Sequence, residues 1–334
     1  MAWKVLVTAP NIETVGTAAV ELLERADCEL VRDWGGHPCD AAAIRPMLPG
    51  IDAVLAGLDL FPAEVLESDE AKELKIISRW GVGFDRIDVA TATRLGIVIG
   101  YTPGVLNNAV GDYAWAMLMA LARGIHSGHA SMAAGGWQPQ WGQDITGKTL
   151  GVIGCGRIGQ AVAKRAAGFD MTILGFDVAP NPHAEELGVQ FVELEELLSR
   201  SDFVSLNCAL TPETTGLINE ARLRSMKSNA LLINTARGAI IDEAALEKAL
   251  REEWIGGAAL DAFCTEPLPA EHPLRNCPNL LLTPHQAANA RETGESVSLL
   301  AARHIVDLCQ GRKPSPLVNP EVLDSPALRA AKNE

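Results

Sequence analysis

Residues 150–160, LGVIGCGRIGQ, constrain this chain more than any other stretch. A short apolar run ends in Gly154, Cys155, Gly156, Arg157, Ile158 and Gly159, and an apolar-periodic segment, 160–167, follows at once. The spacing is G-x-G-x-x-G, with a strand before it and a helix after it. Each glycine answers a separate demand. Gly154 allows a tight turn, Gly156 lets a pyrophosphate approach the backbone, and Gly159 lets the helix pack close on the strand. The helix start at Arg157 and Ile158 offers free N–H groups and the positive end of a dipole to phosphates. On spacing alone an ordinary strand–turn–helix fits equally well. The next apolar run, 171–176 (MTILGF), changes the balance because it ends in Asp177, 18 residues after the last glycine. A carboxylate there accepts from both ribose hydroxyls of an adenosine and repels a 2′-phosphate. The pair of features predicts dinucleotide binding, with NAD rather than NADP as the cofactor.

A length of 334 residues suggests two domains, each with its own core. Apolar residues make up 48% of the chain and the formal charge is −14, which describes a soluble globular protein. The basic residues are scattered, so there is no stripe for a nucleic acid. The longest apolar run, 114–122, is too short for a bilayer, and the N-terminus reads as a strand rather than a signal peptide. Seven cysteines without a C-x-x-C pair read as reduced thiols in a cytoplasmic protein. His126 and His129 have no further ligand at metal spacing, so no metal site is expected.

Strand patterns fall at 3–8, 28–32, 52–56, 74–78 and 97–100, with helical patterns at 14–25, 63–68 and 89–95. Alternation of this kind predicts a parallel sheet covered on both faces. Residues 107–123 form an apolar helix, with Met117 and Met119 as core filler, of the kind found at a domain junction or an oligomer interface. The loop 133–146, with Trp137 and Trp141, is too long for a simple connector. A second set of strands follows at 149–153, 171–176, 203–207, 230–234, 257–260 and 280–283, matching a six-stranded doubly wound sheet of order 3-2-1-4-5-6. A last helix, 289–311, suggests that the chain returns to its first domain.

In such a sheet, ligands sit beyond the carboxyl ends of the strands. There the sequence places Asp177, then Thr235, Ala236 and Arg237, then Asp261 and Glu266, and finally His285. A planar guanidinium, two carboxylates and an imidazole beside a nicotinamide are the equipment for hydride transfer to a carbonyl next to a carboxylate. Each residue alone has a bland reading, as a surface ion pair or a loop carboxylate. Together they read as an active site.

The stretches 78–88 (SRWGVGFDRID), 102–123, 147–159, 234–238 (NTARG), 261–267 (DAFCTEP) and 283–285 (TPH) resemble the D-isomer-specific 2-hydroxyacid dehydrogenase family, in particular its phosphoglycerate-dehydrogenase-like branch. The resemblance covers nearly the whole chain. It implies that Arg237 binds the substrate carboxylate and carbonyl, that His285 is the acid–base, and that Glu266 supports it. It implies further that Asp261 holds the nicotinamide carboxamide and that backbone N–H groups of Gly81, Val82 and Gly83 grip the carboxylate. Trp80 would stand beside them as an apolar wall. The expected fold is a Rossmann domain, 103–286, inserted into a smaller flavodoxin-like α/β substrate domain, 1–102 and 287–334, with closure of the two excluding water. The loop bearing Trp137 and Trp141 would reach a partner subunit in a homodimer.

The chain departs from the family pattern in four places. Cys208 and Ala209, on the adenine side, stand where a proline is usual at Ala209. Asp112 and Tyr113 replace the common Glu-His or Glu-Leu, and Gln286 replaces an apolar residue after His285. The expected substrate is a small 2-oxo or 2-hydroxy acid, since the first domain's loops offer few cations for a phosphate: Arg32 at the entrance of one, and Arg79 and Arg86 around the glycine loop. Two other readings remain open, a short-form D-3-phosphoglycerate dehydrogenase and a non-enzymatic NAD sensor or corepressor.

Overall fold

The computed structural model describes residues 2–32 and 38–332. Residues 33–37, the loop that Arg32 enters, lie outside them. The chain divides into two units, Met1–Leu106 with Asn289–Glu334, and Asn107–Ala288. The boundaries expected from the sequence were 102/103 and 286/287.

In the first unit, strands β1 (Lys4–Val7), β2 (Glu29–Arg32), β3 (Ala53–Ala56), β4 (Ile76–Arg79) and β5 (Val98–Gly100) form one parallel sheet of order β2-β1-β3-β4-β5. Every residue of β3, β4 and β5 is buried, as expected for strands covered on both faces. The helix expected over 14–25 is two helices, Asn11–Val15 and Thr17–Arg25, broken at Gly16. A Cβ at Gly16 would stand 2.6 Å from the Ile12 carbonyl oxygen, so the bend needs the glycine.

The second unit holds seven parallel strands, not six. They are β6 (Thr149–Ile153), β7 (Thr172–Phe176), β8 (Val189–Phe191), β9 (Phe203–Leu206), β10 (Leu231–Asn234), β11 (Gly257–Leu260) and β12 (Leu280–Leu282), in the order β12-β11-β10-β9-β6-β7-β8. The strand absent from the sequence reading is β8, so β9 is the fourth strand rather than the third. Its three residues sit at the sheet edge with only Val189 buried, which leaves no apolar run to recognise. The helix Asn107–Ala122 is packed into this unit's own core: Ala114, Trp115, Met117, Leu118, Leu121 and Ala122 belong to the cluster it forms with the helix Arg157–Ala166, and it lies against β10 and β11. Its apolarity therefore reflects burial within the chain. No helix among the described residues is long and apolar enough to cross a membrane.

The long return helix, Arg291–Cys309, packs on Thr17–Arg25 and brings His304 against β4. His304 is wholly buried, with Nδ1 3.0 Å from Ser78 Oγ, and Ser78 in turn donates to the Ala301 carbonyl at 2.8 Å. With the serine proton committed to Ala301, the imidazole Nδ1–H donates to Ser78. Burial, against a small opposing pull from Asp307, lowers its pKa to about 4. The unfolded chain then takes up a proton between pH ~6.5 and about 4 that the folded chain refuses, so stability falls across that window. We expect the full chain to lose up to ~3 kcal/mol there, beyond the losses due to its carboxylates, and His304→Gln to flatten that part of the slope in urea denaturation. An unchanged slope in the variant would refute the assignment.

Candidate active site

The turn after β6 gives each glycine a distinct task. Gly154 has φ +86°, and a Cβ on it would stand 2.4 Å from Cys208 N. A Cβ on Gly159 would stand 2.0 Å from the Gly154 carbonyl oxygen. Gly156 faces open space, with nothing within 4 Å of its Cβ position. Two glycines are thus required by the protein's own backbone, and the third clears ground for something else. The helix Arg157–Ala166 begins just there with no side-chain cap. Among the described residues, the N–H groups of Arg157 and Ile158 meet no acceptor, which is the arrangement that binds phosphate.

Asp177, half-buried at the end of β7, accepts from Cys155 N at 2.6 Å and Val178 N at 2.7 Å. Its carboxylate is oriented by the glycine turn itself. Burial pushes the Cys155 and Cys208 thiols up to about 12 and about 11, so both stay neutral packing groups. Ala209 is exposed beside Cys208, and its carbonyl accepts from Thr214 Oγ1. Thr235 Oγ1 is buried with no protein partner, an omission that costs about 1–3 kcal/mol unless a ligand meets it. An open Gly156, an uncapped helix start and an orphaned hydroxyl at one sheet edge fit a dinucleotide.

The turn after β10 is tied by Asn234, whose side chain accepts from Ala236 N at 2.9 Å and donates to the Arg237 carbonyl at 2.8 Å. Arg237 Nη1 donates to the Ala236 carbonyl at 2.8 Å. A Cβ on Gly238 would lie 2.0 Å from the Phe263 carbonyl carbon, so this turn touches the loop after β11 that carries Glu266. There Glu266 Oε1 accepts from Phe263 N at 3.0 Å, and His285 Nδ1 lies 2.9 and 3.0 Å from its two oxygens. Burial pushes the Glu266 carboxyl up, but His285, the Phe263 N–H and the Arg237 charge outweigh it and hold it below the usual carboxylate range. With Nδ1 bound to a carboxylate, Nε2 is the ring nitrogen left for another partner.

His285 itself has φ +49°, which costs a residue other than glycine about 1–3 kcal/mol. Asp261 holds it there. Oδ1 accepts from Thr283 Oγ1 at 2.6 Å and Gln286 N at 3.0 Å, and Oδ2 from Ala287 N at 2.8 Å. Desolvation raises the Asp261 carboxyl above its ordinary value despite those donors. Counting lone pairs, one remains on Oδ2 for a carboxamide.

A model of the D-isomer-specific 2-hydroxyacid dehydrogenase NAD-binding domain matches residues 115–287. The chain belongs to this family. It is 44% identical over 280 residues to the glyoxylate reductase of Korarchaeum cryptofilum, covering 81% of this chain and 84% of that one. A solved Thermus thermophilus structure matches with TM-score 0.84 at 39% identity, covering 94% of this chain and 99% of the other. A glyoxylate reductase from Paecilomyes thermophila matches with TM-score 0.81 at 30% identity, over 96% and 99% of the two chains. This dehydrogenase is therefore an NAD-dependent oxidoreductase that moves a hydride between the cofactor and a 2-hydroxy or 2-oxo acid.

Within the first unit of the dehydrogenase, the glycine loop after β4 differs from expectation in two respects. Gly81 N–H donates to Thr102 Oγ1 at 3.0 Å, so it is not available to a carboxylate. Among the described residues, the N–H groups of Val82 and Gly83 meet no acceptor. Trp80 is not an open wall: it is 7% exposed, and its Nε1 donates to Ser298 Oγ at 2.9 Å. The sequence offered no sign of either partner, since Thr102 and Ser298 lie far along the chain. Thr283, the hydroxyl that fixes Asp261, was also not singled out. Among the described residues, no group of three or more His, Cys, Asp or Glu side chains is placed to hold a metal.

The glycine geometry separates folding from binding. Gly156→Ala should leave the thermal midpoint within a degree or two and weaken NADH at least tenfold, about 1.4 kcal/mol, by blocking the pyrophosphate. Gly159→Ala should instead lower the midpoint by several degrees, since a Cβ cannot stand against the Gly154 carbonyl. Fluorescence titration with NADH and thermal melts check both. Equal NADH affinity in Gly156→Ala and wild type would contradict the placement.

Proposed function

We propose that this dehydrogenase reduces glyoxylate or a similarly small, unphosphorylated 2-oxo acid. The observation that carries the reading is the His285–Glu266 pair, which presents one imidazole nitrogen to substrate beside the Arg237 turn. Arg237 binds the carboxylate and polarises the carbonyl. His285 Nε2 gives its proton to the carbonyl oxygen as that oxygen gains charge, and Glu266 stabilises the imidazolium beforehand. NADH, when bound, supplies the hydride to the adjacent carbon. Oxidation of the D-2-hydroxy acid runs the same steps in reverse.

The relatives named glyoxylate reductase support a small substrate over 3-phosphohydroxypyruvate. So does Arg79. Its guanidinium is buried at 8% exposure, donates to the Trp80 carbonyl, and lies 3.0 Å from where a Gly81 Cβ would stand. A cation packed under the loop is poorly placed to swing out to a phosphate dianion.

We expect kcat/KM for glyoxylate, hydroxypyruvate or pyruvate to exceed that for 3-phosphohydroxypyruvate at least tenfold, about 1.4 kcal/mol. A tenfold preference for the phosphorylated acid would assign the phosphoglycerate branch instead. His285→Asn should cost about two to four decades in kcat. Glu266→Gln should cost less and displace the pH profile. Reduction needs the imidazolium, and losing the carboxylate disfavours it, so the basic limb moves to lower pH. If that limb stayed put, Glu266 would serve only to position the ring.

The same reading includes a homodimer and a cytoplasmic location. Ile125, Met132, Trp137 and Trp141 are all exposed, Trp141 fully, on one continuous segment of the second unit. Four such side chains together favour a covering partner, and the seven free thiols suit a reducing compartment. Sedimentation at micromolar concentration should give a dimer, and Trp137→Glu with Trp141→Glu should give monomers. A monomeric wild type would refute it.

A further inference from the structure

Two of the positions where this chain leaves its family's pattern, Tyr113 and Gln286, meet in space. Gln286 Nε2 donates to Tyr113 Oη at 2.7 Å across 173 residues of sequence. Tyr113 lies on the helix Asn107–Ala122, one turn before Met117, so the two share a helix face. Met117 Sδ in turn receives a weak contact from Thr283 Oγ1 at 3.9 Å. One face of one helix thus touches the residues on both sides of Pro284 and His285.

That placement matters because the His285 turn is held at φ +49° and relaxes if its supports loosen. Asp261 restrains the backbone at Gln286 N and Ala287 N. The amide–phenol bond restrains the same residue through its side chain, from a second element. The helix is itself fixed: Ala114 and Trp115 beside Tyr113 are buried, and Trp115 Nε1 donates to the Val162 carbonyl at 2.8 Å. An apolar residue at 286 would pack against the helix with no preferred direction. The amide gives the contact a direction.

We infer that Tyr113 and Gln286 are a positioning pair that aims His285 for proton transfer, acting through the turn rather than on the substrate. The inference rests on His285 being the acid–base of the proposed reaction. The charged groups facing that imidazole are Glu266 and Asp261, with Arg237 acting on Glu266. Loosening the turn weakens the Nδ1–Glu266 bond, and with it the preference for the imidazolium.

The test uses Tyr113→Phe, Gln286→Leu and the double variant in the full-length chain. Kinetics with NADH and glyoxylate are measured across pH, together with thermal melts and the NMR titration of the His285 ring protons. Each single variant should lower kcat about five- to tenfold, the worth of one neutral hydrogen bond, and leave both KM values within about twofold. The basic limb and the ring-proton titration midpoint should move to lower pH. The double variant should be no worse than the poorer single, because both remove the same bond. Additive losses, or a lowered melting point with an unmoved profile and titration, would overturn the proposal. If the wild type turned over no 2-oxo acid, the proposed reaction would fail. The NMR titration would still decide the pair.

Discussion

Asp261 stands at the carboxyl end of β11 with 1% of its surface exposed, and all three hydrogen bonds to its side chain come from the segment that carries His285. A carboxylate in that position is costly to desolvate, and the cost shows in its raised affinity for a proton. The three donors offset it. They also hold a histidine in the left-handed region, which is uncommon for any residue but glycine. In that conformation the imidazole Nδ1 lies 2.9 and 3.0 Å from the two Glu266 oxygens, so the buried Asp261 holds the backbone on which the His285–Glu266 contact is built.

Close backbone approach supplies the other half of the site. Gly238 brings the Arg237 turn against the loop after β11, and Gly154 brings the phosphate turn against the loop after β9. Strands in a parallel sheet end side by side, but their loops meet only where no side chain separates them. Glycine at these two contacts lets the loops after β6 and β9, and those after β10 and β11, meet in pairs. The same logic explains why Gly156 is open: the space a Cβ would fill is kept for the cofactor.

Much of this was legible in the sequence because it follows from local pattern. Fully buried parallel strands announce themselves as apolar runs, and eleven of the twelve strands did so. Val189, Gln190 and Phe191 did not, since an edge strand of three residues carries no run. That Arg237, Glu266 and His285 gather at one sheet edge could be read from their positions after strands. Their supports could not. Thr102 on Gly81, Ser298 on Trp80 and Tyr113 on Gln286 are pairs joined across many residues, and no periodicity links them. The helix 107–122 was legible in part: the boundary between the two units falls at its first residue, where a junction was expected. An all-apolar helix states that it is buried but not by what, and here its own domain buries it.

An acidic chain that binds an acidic substrate poses an apparent conflict, with a formal charge of −14 against the anion. Range resolves it. At physiological ionic strength the Debye length is about 8 Å, so most of that charge is screened from the site. What the substrate meets is local. Glu266 is already neutralised in effect by the His285 contact and the Arg237 charge, and Asp261 is enclosed by three donors. Both carboxylates are met by donors or by a cation, and the N–H groups of the uncapped helix start point positive potential at the same sheet edge. The hydrogen bonds that fix Glu266 and Asp261 also offset their negative charge.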